Sequence, residues 1–234
     1  MSSGKWDDLA PRLFSAVAMV GVGALGVWLG GLWFHGLISC IVGLMVWELV
    51  KMLDTARSKS ALVLAIASGA AAMVAIEVPP ALALPLLLTP SMLGLGRMEQ
   101  GGVTYAVFTA RIMLAGYGRM ALRDDFGLTW MVWLLLVVVV TDIAGYFAGR
   151  IFGGPKLWPR VSPKKTWSGT VAGWAGSAGI ALVFAKSTQA GLGLVGVSIA
   201  VSMASQIGDI AESAIKRRTG VKDSSNLIPG HGGL

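Results

Sequence analysis

The chain has 234 residues, of which 55% are hydrophobic and only 13% charged, with a formal net charge of +7 and positive mean hydropathy. Soluble domains carry roughly 25% charged residues, so water is excluded as the main solvent and a membrane domain is implied. Apolar runs of about 18 or more residues, each able to cross a hydrocarbon core about 30 Å thick as a helix, recur along the chain. In order they are Pro11 to Phe34, Gly36 to Leu53, Ala61 to Val78, Ala81 to Leu95, Val103 to Leu122, Leu128 to Gly149, Ser168 to Ala185 and Gly191 to Ala211. The runs are continuous and lack the alternation of barrel strands. The expected fold class is all-α, a polytopic transmembrane helical bundle of about eight spans. It forms one integral membrane domain over residues 1–234, with N-terminal spans in 1–122 and the C-terminal spans and polar loops in 123–234.

The first run is longer and richer in glycine than a cleaved leader, and no small-residue cleavage site follows it, so it is expected to stay in the mature protein. Cys40, the single cysteine, lies in the second run, where it can form neither an internal disulfide nor a metal site. The fourth run follows Pro79-Pro80 and contains Pro85 and Pro90, so a kinked or re-entrant segment is expected there. On the seventh, Gly169, Gly173, Gly176 and Gly179 are spaced for close helix packing in lipid. Residues Gly191 to Gly196 match the dinucleotide-binding pattern GxGxxG, but no strand precedes them, and the match is read as chance.

The placement of charge sets the orientation. With Met1 in the cytoplasm, that side holds Lys5, Arg12, Lys51, Arg57, Lys59, Arg97, Arg150, Lys156, Arg160, Lys164, Lys165, Lys216, Arg217, Arg218 and Lys222. The opposite side holds only Arg119, Arg123 and Lys186. The positive-inside rule then puts the N-terminus and the polar segments on the cytoplasmic face of the inner (plasma) membrane. Such a basic face also attracts anionic lipid head groups, and topogenesis alone would account for the cations.

Topogenesis does not account for the acids. Asp142 lies about two turns before the end of the sixth run, and Asp209 and Glu212 lie near the end of the eighth. Carboxylates at membrane depth are costly and usually face a polar cavity with partners. Glu212 and Lys216 are spaced for a simple ion pair on one helical face, beside Asp209. Carboxylates, lysines and glycine-rich turns converging on one cavity suit phosphate chemistry with a divalent cation. Two unit negative charges about 4 Å apart repel by around 4 kcal/mol at an effective dielectric near 20, a barrier that cations in the cavity remove.

Three blocks carry a resemblance. Ser213-Ala214-Ile215-Lys216-Arg217, then Lys222-Asp223, then Ile228-Pro229-Gly230-His231-Gly232-Gly233-Leu234 resembles the signature of the bacterial phosphatidate cytidylyltransferases, also called CDP-diacylglycerol synthases. Asp142-Ile143-Ala144-Gly145-Tyr146 and Ser162-Pro163-Lys164-Lys165-Thr166-Trp167 resemble two further blocks of that family in the same order. The resemblance implies that phosphatidic acid attacks the α-phosphorus of CTP, giving CDP-diacylglycerol and pyrophosphate with Mg2+ as cofactor. It implies Asp209 as a metal ligand, with Asp142 and Lys165 beside it as catalytic groups. It places substrate phosphates against Ser162, Lys164, Lys165, Lys216, Arg217 and Lys222, with Asp223 in the same polar cavity. His231 is implied either as a phosphate contact or as part of a turn. The expected partners are CTP, phosphatidic acid and membrane lipids; nucleic acid is not expected, and a homodimer stays open. In the family, Asp-Arg-x-Asp and a last membrane helix, a ninth span here, follow the His-Gly-Gly segment; the sequence ends at Leu234, and a chain lacking that segment is expected to bind substrates yet turn them over slowly.

Arg111, near the middle of the fifth run, is expected to face a cavity or a partner such as Asp142 or a lipid phosphate. Two rival readings keep the membrane setting: a CTP-dependent lipid kinase, in which the lipid would attack the γ-phosphorus of CTP instead, and a non-catalytic lipid transporter, for which the paired broken helices of transporters are missing.

Overall fold

A computed structural model describes residues 9–54, 58–221 and 225. The elements run α1 Leu9–Leu29, α2 Gly31–Leu53, α3 Ser58–Ala75, α4 Pro80–Leu95, α5 Gly102–Ile151, β1 Lys156–Trp158, β2 Ser162–Thr166, α6 Trp167–Phe184 and α7 Gly193–Thr219. A helix lies in each expected apolar run, but the first run breaks at Gly30 (φ 66°), so that α2 begins at Gly31, and the fifth and sixth are joined in α5, whose backbone leaves helical geometry at Gly127 (φ 79°, ψ −170°). Three of them, α2, α5 and α7, are long and apolar enough to cross a membrane; α1, α3 and α4 contribute shorter apolar helices. Large apolar side chains such as Phe14, Trp28, Val103 and Val183 lie on the outside, as lipid-facing residues do. The protein is an all-α membrane protein with a single two-stranded hairpin among the described residues.

The chain divides into two compact units. The first contains α1 to α4 and the arm of α5 up to Asp125. Here α2 packs on α3 and α3 on α4, around buried Phe34, Val46, Leu49, Leu64 and Leu87. The α2–α3 approach needs glycine: a Cβ on Gly43 would stand 3.0 Å from the Ala65 carbonyl oxygen, and one on Gly69 3.0 Å from that of Ser39. Helix α4 runs unbroken through Pro85 and Pro90, with Pro80 in its first turn, where the missing N–H costs nothing. The Tyr105 hydroxyl donates to the Pro90 carbonyl at 3.2 Å. At the C-terminal end of α1, Arg123 donates from Nε to the Val27 carbonyl (2.8 Å) and from Nη2 to that of Trp28 (3.3 Å), meeting carbonyls that no helical N–H reaches. His35 is buried and its Nε2 lies 2.7 Å from Asp124 Oδ2.

The second unit, Phe126–Gly220, holds the other arm of α5, the hairpin, α6 and α7. Trp133, Val137, Ala181 and Leu194 form its apolar core. Helix α6 crosses α5 at glycine: a Cβ on Gly169 would stand 2.5 Å from the Gly145 carbonyl oxygen, and one on Gly173 3.2 Å from that of Thr141. Gly176 also sits at a close approach, to Val140, whereas Gly179 faces open space. The expected end of the last run at Ala211 falls short: α7 continues to Thr219, carried by the Glu212–Lys216 ion pair (2.5 Å) and closed by Gly220 in the left-handed conformation (φ 73°). Gly191 to Gly196 form the turn into α7 and its first residues, with no strand before them, so the GxGxxG match is not a nucleotide loop.

Candidate active site

Helix α5 ends at Ile151 and the chain turns through Gly153 and Gly154, both at positive φ (60° and 100°), conformations that glycine adopts without strain. It then forms the antiparallel hairpin, Lys156 opposite Thr166 and Trp158 opposite Ser162. The hairpin returns the chain beside the end of α5 and delivers it into α6. Thr166 caps that helix, its hydroxyl accepting from the Gly169 N–H at 3.2 Å. The Ser168 hydroxyl donates to the Gly153 carbonyl and so ties the turn to the cap. The positive end of the α6 dipole is thereby held next to the polar end of α5.

Beneath the hairpin lies a cleft of about 570 Å³ within this unit. From α5 it is lined by Thr141, Asp142, Gly145, Tyr146, Gly149 and Arg150. Lys164, Lys165, Thr166, Gly169 and Thr170 come from the hairpin and the start of α6, and Gln206 and Asp209 from α7. Asp142, Tyr146 and Arg150 repeat every four residues and make one polar stripe on α5. At the centre, Lys165 Nζ donates to Asp209 Oδ2 at 2.8 Å and to the Gln206 carbonyl at 3.3 Å. Asp142 is in electrostatic reach of both members of this ion pair. Both partners are half-buried, so the pair keeps access to whatever enters the cleft.

A ladder of polar contacts positions this centre. Along α7, Ser198, Ser202 and Gln206 recur at four-residue spacing on one buried face. Trp133 Nε1 donates to Ser198 (2.9 Å), Thr141 to Ser202 (2.8 Å) and Trp174 Nε1 to Gln206 Oε1 (3.0 Å), while Gln206 Nε2 donates to the Thr170 carbonyl (3.2 Å). These bonds fix the rotation and height of α7 against both neighbours, and Asp209 lies one turn beyond the last rung. Sequence reasoning missed Gln206, although the repeat of polar residues through an apolar helix was a legible signal.

Of the residues expected at the site, Asp142, Lys164, Lys165 and Asp209 come together in the cleft. Ser162 sits on β2 opposite Trp158, outside the lining. Lys216 is engaged by Glu212, and Arg217 is exposed in the last turn of α7; neither lines the cleft. Arg111 belongs to the first unit, exposed, with its guanidinium 5.5 Å from the centroid of the Phe108 ring. Lys222, Asp223 and His231 fall outside the described residues.

Two carboxylates facing one cleft fit a magnesium ion, which commonly takes one or two protein carboxylates and fills its shell with water and substrate phosphates. No group of three or more acidic, histidine or cysteine side chains able to cage an ion occurs among the described residues. Lysine, arginine and a helix N-terminus beside the carboxylates suit a polyanion.

The cytidylyltransferase family model matches residues 10–234. The chain belongs to the cytidylyltransferase family. Within that family it is 37% identical to the phosphatidate cytidylyltransferase of Brucella suis over 97% of this chain and 87% of the relative. The phosphatidate cytidylyltransferase of Bacillus subtilis is 37% identical over 58% of this chain and 52% of its own, and that of Haemophilus influenzae 41% over 56% and 49%. The cleft is thus the feature of this family member in which acids and bases from two separate helices, α5 and α7, and a hairpin meet.

Proposed function

We propose that the chain is a phosphatidate cytidylyltransferase: it transfers the cytidylyl group of CTP to phosphatidic acid and releases pyrophosphate. The observation that carries this is the Lys165–Asp209 pair in a cleft shared with Asp142, Lys164 and Arg150, in a chain matched over nearly its whole length by relatives of that name. A phosphate oxygen of phosphatidic acid attacks the α-phosphorus of CTP, and the bond from that phosphorus to the bridging oxygen of pyrophosphate breaks. Nothing is oxidised or reduced, and no covalent enzyme intermediate forms.

Lys164 and Lys165 hold phosphate oxygens and offset the repulsion between two anionic substrates. Asp209 holds the Lys165 ammonium in place, and its free oxygen, with Asp142, is the donor set proposed for magnesium. When bound, the ion would neutralise charge on the phosphates and on the departing pyrophosphate. The proposed setting is the inner membrane, with about eight spans and with the hairpin and the N-terminus in the cytoplasm; the excess of Lys and Arg on that side supports it.

Product analysis tests the reading. Purified protein given phosphatidic acid and CTP labelled at the α-phosphorus is expected to move the label into lipid and release pyrophosphate. Label remaining in water-soluble CDP, with phosphate added to the lipid, would instead identify a kinase.

A further inference from the structure

Three cations line the cleft, and they are not equivalent. Lys165 is committed to Asp209. Lys164 stands exposed on β2. Arg150 occupies the last turn of α5, at the mouth of the cleft, where its Nη1 donates to the Tyr146 hydroxyl at 2.9 Å. Among the described residues it has no carboxylate partner, and a guanidinium with most of its donors free matches a phosphate in a fork geometry that an ammonium cannot offer.

Its surroundings separate the two anionic substrates. Arg150 ends a helix long and apolar enough to cross the membrane, and its neighbours Phe147, Ile151 and Phe152 expose apolar side chains to the outside, Phe152 to 77%. An arginine set among lipid-facing side chains at a helix end lies at the height of phospholipid phosphates. Eight residues separate it from Asp142 on the same stripe, a rise of about 12 Å at 1.5 Å per residue. The bond to Tyr146, one turn back, holds the guanidinium along that stripe. Lys164 and Lys165 reach the cleft from the hairpin instead, on the polar side.

We infer that Arg150, oriented by Tyr146, is the grip for the phosphomonoester of the lipid substrate and sets its position, leaving the lysines of the hairpin to the nucleotide. The inference rests on the proposed cytidylyl transfer for its substrate but not for its binding test. In detergent micelles with varied mole fractions of dioleoyl phosphatidate, Arg150→Ala is expected to raise the apparent KM for the lipid at least ten-fold while the KM for CTP stays within two-fold. Arg150→Lys should recover part of the loss, and Tyr146→Phe, which keeps the ring and removes the hydrogen bond, should raise the lipid KM several-fold. Calorimetry with soluble dihexanoyl phosphatidate reads the same grip without turnover, and Arg150→Ala is expected to weaken that binding ten-fold. An unchanged lipid KM and unchanged dihexanoyl phosphatidate binding, or a larger shift in the KM for CTP, would overturn the assignment. Wild-type protein that binds the lipid through Arg150 yet transfers no cytidylyl group would overturn the proposed reaction and leave the grip standing.

Discussion

Asp209 and Lys165 form an ion pair in the cleft between different elements, α7 and the hairpin. Because both are half-exposed, their mutual attraction contributes little to stability, about 0–1 kcal/mol for such pairs. Their value is to hold charge where phosphates arrive. Asp209→Asn keeps the shape and a hydrogen bond to Lys165 but removes the negative charge proposed to bind magnesium. The expected outcome is loss of magnesium-dependent turnover by about 100-fold or more, as for removal of a single strongly stabilising electrostatic group, with a thermal midpoint in detergent unchanged within a few degrees. Near-normal turnover at saturating magnesium would remove Asp209 from the metal site. The carboxylates were legible from sequence because charge at membrane depth is too costly to be idle. Lys216 shows the limit of the same reasoning: spacing alone allowed both a phosphate contact and a pair with Glu212, and the structure has the pair.

At the level of elements, two different devices lock α6 in place. Against α5 it is glycine, Gly145 and Gly169 letting backbones meet; against α7 it is Gln206, the rung of the polar ladder that bonds to Trp174 and Thr170. Helix existence was readable from apolar runs, and even α4 kept its helix through two prolines. The hairpin was not readable, since Gly153-Gly154-Pro155 and Ser162-Pro163 look like loop and its strands are only three and five residues long. Nor was Gln206, a neutral amide whose meaning depends on Trp174 and Thr170 being across from it. Gln206→Ala strands the indole N–H of Trp174, at a cost of about 1–3 kcal/mol for a buried group left without a partner, and removes a second donor from the Thr170 carbonyl. Because Asp209 lies one turn on, turnover should fall together with the thermal midpoint, and Gln206→Glu, which keeps an acceptor for Trp174, should recover more of both than Ala. A variant with full stability and full activity would show that the ladder does not set the site.

For the molecule as a whole, the cleft has work to do only if the hairpin faces the compartment that holds the nucleotide. Helix α6 connects that hairpin to the turn around Lys186, and its 18 residues rise about 27 Å, close to the thickness of a hydrocarbon core. Lys156 and Lys186, both exposed, therefore belong to opposite membrane faces if α6 crosses. In the proposed orientation, which rests on the excess of Lys and Arg on the hairpin side, that side faces the cytoplasm. In a Cys40→Ser background, Lys186→Cys is expected to react with a membrane-impermeant maleimide in intact spheroplasts, and Lys156→Cys only after the membrane is opened. Labelling of both in intact spheroplasts would mean that α6 does not span, and the reverse pattern would place the cleft away from cytoplasmic CTP. Either result would leave the acids and bases of α5, the hairpin and α7 assembled as they are, but without access to the nucleotide that the proposed reaction consumes.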